Sequence, residues 1–160
     1  MAETRAAGLG GEVDGATAAV DSRDGFAWCR LGALPETACL LDTTVTFSAA
    51  TRGCGILLRA DDELEHYYQI RLEPGRNRVV FDRWPRPGDE PPIIERPLEL
   101  PANVPLRLQV MVEGTVIVVY IGERQALNTR GYEHTGGACG LFVSEGAAVF
   151  RDCRLSATSG

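Results

Sequence analysis

Short stretches in which apolar and polar residues alternate with a period of two recur along the whole chain. Turn-forming residues separate them, and no stretch keeps a helical period long enough to build a helix. Leu106, Leu108, Val110 and Val112 alternate with Arg107, Gln109, Met111 and Glu113, so a strand here buries one face and shows the other. Leu40 to Phe47 repeats the pattern with β-branched residues, Gly55 to Arg59 is a short apolar run, and Tyr67 to Leu72 alternates up to Pro74-Gly75. Val79 to Trp84 completes that hairpin, and Pro85 to Pro92, rich in proline, predicts an exposed loop. Glu113-Gly114 marks a turn, and Thr115 to Ile121, apolar on both faces, reads as a central strand between the core and a covered outer surface. Leu141 to Val143 and Val149 to Leu155 read as two strands joined by a hairpin at Ser144-Glu145-Gly146. With weaker strands near Phe26 and Leu98, roughly eight to eleven strands result, which predicts an all-β, two-sheet antiparallel jelly-roll sandwich.

The chain has 160 residues, about one domain's worth. The pattern places that domain at residues 16–157 and a flexible tail at residues 1–15. A net charge of −6 gives no general attraction to phosphate backbones or anionic lipid, so nucleic acid and membrane surfaces are not expected partners. Met1 to Gly15 has no apolar run of the signal-peptide kind, and localisation stays open. The chain has no lysine, and its sixteen permanently cationic side chains are all arginine, the residue that grips oxygen pairs in a planar fork. The five cysteines, Cys29, Cys39, Cys54, Cys139 and Cys153, include no C-x-x-C pair and could form at most two disulfides; because Cys39, Cys54, Cys139 and Cys153 sit in or beside apolar patterns, mostly buried free thiols are expected.

Two charged clusters invite functional readings. Asp61, Glu63 and Glu65 lie at alternate positions, which on a strand would direct three carboxylates to one face, as glycan hydrolysis by paired carboxylates needs. The competing reading is a solvated hairpin tip, and a calcium site is a third use of the same acids; no other cofactor is expected. Asp82-Arg83-Trp84-Pro85-Arg86, at a strand end, sets charged forks for hydroxyls beside an aromatic ring for a sugar's C–H face. A core tryptophan with two surface charges is the alternative. Glu95-Arg96 returns a second charged pair after the proline loop, and Tyr67, Gln69 and Arg71 share one strand face. The candidate sugar-binding set is therefore Tyr67, Arg71, Asp82, Arg83, Trp84, Glu95 and Arg96. Arg71 either joins Arg83 around a sugar or pairs with an acid such as Glu73 or Asp82. His66 and His134 lack partners at metal spacing, and Ser144 lacks the context of a hydrolase nucleophile.

The run Leu106 to Thr115, followed by Val119-Tyr120-Ile121, Ala126-Leu127-Asn128-Thr129-Arg130, and Gly140-Leu141-Phe142-Val143 through Phe150, resembles the C-terminal β-sandwich of glycoside hydrolase family 32, the invertases, levanases and inulinases, and the related fructan-binding modules. Glu113 stands where the family usually has aspartate, and Val118 where its strand generally has glutamate. The resemblance implies a concanavalin-like sandwich. The family's five-bladed catalytic propeller needs far more chain, and its nucleophile and acid motifs are absent, so no enzyme is expected. It implies a carbohydrate-binding module for β-fructan or a related polysaccharide, with a parent glycoside hydrolase catalytic domain in the same chain as its partner. A structural sandwich packing on that propeller is the alternative.

Overall fold

The computed structural model describes residues 13–34, 38–85, 93–131 and 137–157. Among the described residues ten strands follow one another: β1 (Val13–Ala33), β2 (Cys39–Phe47), β3 (Gly53–Ala60), β4 (Tyr67–Glu73), β5 (Arg78–Trp84), β6 (Ile94–Pro97), β7 (Leu106–Glu113), β8 (Val116–Ile121), β9 (Gln125–Arg130) and β10 (Ala138–Ala157). β1 begins at Val13, inside the segment read as tail. A 3-10 turn, Pro74–Arg76, joins β4 to β5 and closes on Asn77 in the left-handed conformation.

The two long strands organise the sandwich. β10 pairs with β3 over Ala138 to Ser144 and with β2 over Ala148 to Ala157. β1 runs antiparallel to β10 through both halves. Six strands thus make a first sheet, in the order β6, β5, β4, β3, then the first half of β10 and the second half of β1. The other halves of β1 and β10 continue into β2, β7, β8 and β9 as the second sheet. The hairpin expected at Ser144-Glu145-Gly146 is therefore not a hairpin. It is the bend at which one strand passes from sheet to sheet, with Glu145 at φ 52° and the β1 register slipping between Ser22 and Phe26. Irregularities of this kind bend and twist a strand without ending it.

The loop from β2 to β3 straps this bend. Arg52 N–H donates to the Glu145 carbonyl at 3.0 Å, Ser48 N–H to the Ala147 carbonyl at 3.1 Å, and the buried Thr51 hydroxyl to the same Ala147 carbonyl at 3.0 Å. A side chain at Gly146 would meet Thr51 at 2.5 Å, so glycine lets the strap close.

Strand parity builds the core. Leu41, Val45 and Phe47 of β2, Tyr68, Ile70 and Leu72 of β4, and Leu108, Val110 and Val112 of β7 all enter one cluster between the sheets, with Phe81, Ile117, Val119 and Phe150. The five cysteines are buried and free. Burial pushes the Cys54 and Cys139 thiols up to about 12. β8 lies one strand in from the edge, and its outward residues are half-buried at Val116 and Val118 and open at Tyr120. The covered outer surface expected for it is absent among the described residues.

Candidate functional site

The outward face of the first sheet divides into two unlike halves. Across β1, β10 and β3 the outward residues are Phe26, Trp28, Phe142 and Leu57, set in register by the pairs Trp28 with Phe142 and Gly140 with Leu57. They form a second small apolar cluster with Ala60 and Leu64, roofed by the turn at residues 61–66. Phe26 stacks on Phe142 at 5.3 Å and on Tyr67 at 6.5 Å. Gly140 makes room for this packing, because a Cβ there would meet the Trp28 ring at 2.7 Å.

Across β4, β5 and β6 the same face is polar. The register pairs Tyr67 with Trp84, Gln69 with Asp82, Arg71 with Val80, Glu73 with Arg78, and Val80 with Glu95. Tyr67, Arg71, Asp82, Trp84 and Glu95 thus share one face, as directly opposed residues point the same way, with Asp82 buried in it. Trp84 is 46% exposed. Tyr67 is half-buried, and burial, together with the Asp82 charge, holds its phenol proton more firmly despite Arg71.

At one end of this surface, Arg71, Glu73, Arg78 and Glu95 form a chain of ion pairs. Arg71 Nε lies 3.0 Å from Glu73 Oε2, and Arg78 bridges Glu73 and Glu95. The Arg71 contact lacks hydrogen-bond alignment, so its buried Nε–H has no acceptor among the described residues. The guanidinium lies on Gly53, where a Cβ would meet it at 2.8 Å. Arg71 and Glu73 line a polar cavity of about 470 Å³, completed by Thr51 and Arg52 of the strap and by Gly75 and Arg76 of the β4–β5 turn. A neighbouring cavity of about 460 Å³ holds Arg78, Glu95 and Arg96. Both are open, polar and rich in forked donors, a constellation suited to hydroxyl groups.

The register separates two of the candidates from the rest. Arg83 is the partner of core-facing Tyr68, and Arg96 that of core-facing Val79. Arg71 and Arg83 therefore point to opposite faces and do not jointly surround a ligand; Arg71 instead takes the alternative of pairing with Glu73. Arg96 donates to the Glu95 carbonyl at 2.8 Å. Arg86, most of the proline loop, and His134 lie outside the described residues.

Asp61, Glu63 and Glu65 lie on the turn between β3 and β4, not on a strand. Asp61 accepts the Glu65 and His66 backbone N–H groups at 2.7 and 3.2 Å and meets the His66 ring at 2.8 Å. Burial raises its carboxyl, but these hydrogen bonds prevail and leave it below the ordinary range. Asp61, Glu65 and His66 come within 4.8 Å of one another, a spacing their own hydrogen bonds account for. The aligned carboxylate strand required for a glycanase is not formed.

Sequence reasoning did not assign Arg52, Thr51, Arg76 or Arg78 to the site. Nothing local marks Thr51, Arg52 or Arg76, since they arrive from a strap and a turn, whereas Arg78 opens β5. The outward parity of Arg78 opposite Glu73 was the one legible signal.

No curated protein sequence matches the chain. Among solved structures it resembles the carbohydrate binding module CBM66 from Bacillus subtilis, with TM-score 0.76, 18% identity, and coverage of 92% of this chain and 94% of that one. A fructosyltransferase from A. japonicus superposes with TM-score 0.66 and 18% identity over 91% of this chain but only 27% of its own length. A Caenorhabditis elegans galectin gives TM-score 0.59 at 13% identity, covering 91% and 95% of the two chains. These likenesses share the sandwich, and the sequence itself matches the family described as glycosyl hydrolases family 32 C terminal over residues 14–157. The chain belongs to the family of glycosyl hydrolase family 32 C-terminal domains.

Proposed function

We propose that the chain is a non-catalytic carbohydrate-binding module for β-fructan of the levan or inulin kind, which holds an attached glycoside hydrolase on its substrate. The observation that carries this reading is the outward surface of the first sheet, where the Arg71–Glu73–Arg78–Glu95 chain borders a polar cavity and Trp84 stands exposed beside Tyr67. The likeness to CBM66, a carbohydrate binding module, and the family 32 sequence match support it.

The chemistry follows from donors and acceptors held in place before the ligand arrives. Guanidinium groups donate to sugar oxygens and carboxylates accept from hydroxyls. Their mutual ion pairs fix the side chains, so little rotamer entropy is lost on binding. Opposite charges balance within the chain of pairs, which suits a neutral polyol. The exposed Trp84 ring offers an apolar face to ring C–H groups. Tethering then raises the local concentration of the enzyme on its polymer.

Isothermal titration against levan, inulin and fructose, with mixed-linkage glucan and xylan as controls, tests the reading. Heat with fructans that falls sharply in Trp84→Ala supports it, and silence on every glycan rejects it. A second reading, a sandwich that packs on a catalytic domain, is favoured by Met111 and Tyr120, 41% and 47% exposed on the outward face of the second sheet. Stable association with a family 32 catalytic domain, lost in Tyr120→Glu, would support that role.

A further inference from the structure

The cavity at Arg71 and the aromatic pair Tyr67 and Trp84 occupy one face of the same two strands, at opposite ends of β4. Building on the sugar-binding reading, we infer that the ligand lies along β4 toward Trp84, not across the sheet toward β3, and that the site reads an oligosaccharide over more than one ring.

Three observations carry this. Tyr67 and Arg71 are separated by four strand positions, roughly 13 Å along β4, a span that no single furanose or pyranose ring covers. The outward positions between them are Gln69, half-buried, and its partner Asp82, which is buried and accepts the Arg83 backbone N–H; the Gln69 amide is the group open to a ring hydroxyl midway. Across the sheet the path is closed on one side, because Leu57, next to Gln69, and Phe142 are fully buried in the small aromatic cluster. On the other side the sheet ends at the short strand β6. Along β4 the half-buried outward side chains Tyr67, Gln69 and Arg71 join the arginine end to the tryptophan end.

A module built this way gains affinity with chain length until the ligand reaches Trp84, and then stops gaining. Calorimetry with fructose and with fructan oligosaccharides of two to six units measures this directly. The dissociation constant should fall by about tenfold between the monosaccharide and the trisaccharide, the scale of one aromatic contact, and level off beyond. In Trp84→Ala the gain with length should vanish, and an unchanged melting temperature would show that the fold is intact. Equal affinity for every length, or a gain that survives Trp84→Ala, would overturn the extended site while leaving sugar binding in place. Absence of binding by every oligosaccharide would overturn the sugar-binding reading itself, and this inference with it.

Discussion

Arg71 is the residue on which most of the site's features meet. Its guanidinium lies against Gly53 and pairs with Glu73, its buried Nε–H has no hydrogen-bond acceptor among the described residues, and the side chain lines the cavity. Replacing it by alanine should weaken fructan binding by roughly tenfold to a hundredfold, the scale of one or two charge-assisted hydrogen bonds. Because Arg78 still partners Glu73, the melting temperature should move little. Titration and a thermal scan on the same variant check both halves, and a large loss of stability with unchanged affinity would assign Arg71 a structural role only. Gly55 has the opposite character: a Cβ there would run into the Ile70 carbonyl oxygen of the neighbouring strand. Gly55→Ala should cost about 3 kcal/mol in denaturant unfolding, since backbone must move to admit the methyl group.

At the scale of strands, the small cluster of Trp28, Leu57, Phe142 and Leu64 does two things: it covers half of an outward sheet face and so defines the edge of the open half. Phe142→Ala should destabilise the fold by about 3–5 kcal/mol and, through the lost stack on Phe26, loosen Tyr67 and lower sugar affinity as well. Chemical denaturation and titration of that variant check the pair of effects. These strands also show what a sequence can and cannot declare. Parity sorted Tyr67 and Arg71 from Tyr68, Ile70 and Leu72 correctly, because one-sided burial writes itself into a period of two. β1 was nearly invisible, since its glycines, alanines and charges spread over a strand that crosses between sheets. The bend of β10 looked like a hairpin for a related reason: Ser144-Glu145-Gly146 has turn composition, and only pairing with β1 on both sides of it shows one continuous strand. The placement of Arg83 opposite Arg71 depended on register, which sequence proximity to Trp84 obscured.

The molecule as a whole holds five buried thiols between and around its sheets. Cys54 and Cys139 are raised to about 12 by burial, above the roughly 8.5 expected of the unfolded chain. A folded-state pKa above the unfolded value stabilises the fold fully below the unfolded pKa and loses that contribution as pH climbs toward the folded one. Urea midpoints should therefore hold between pH 7 and 8 and decline through pH 9 to 11, with the thiols unreactive toward a maleimide until unfolding. A flat midpoint across that range would contradict the burial. The same whole-molecule view assigns different work to the two outward sheet faces: a polar track on the first, and a partly apolar surface around Met111 and Tyr120 on the second. The most direct test of the central claim is amide chemical-shift mapping by nuclear magnetic resonance during titration with a fructan oligosaccharide. Perturbations gathered on β4, β5 and residues 49–52 and 74–77 are the predicted result. Perturbations gathered on β7 and β8, or none at saturating sugar, would contradict it.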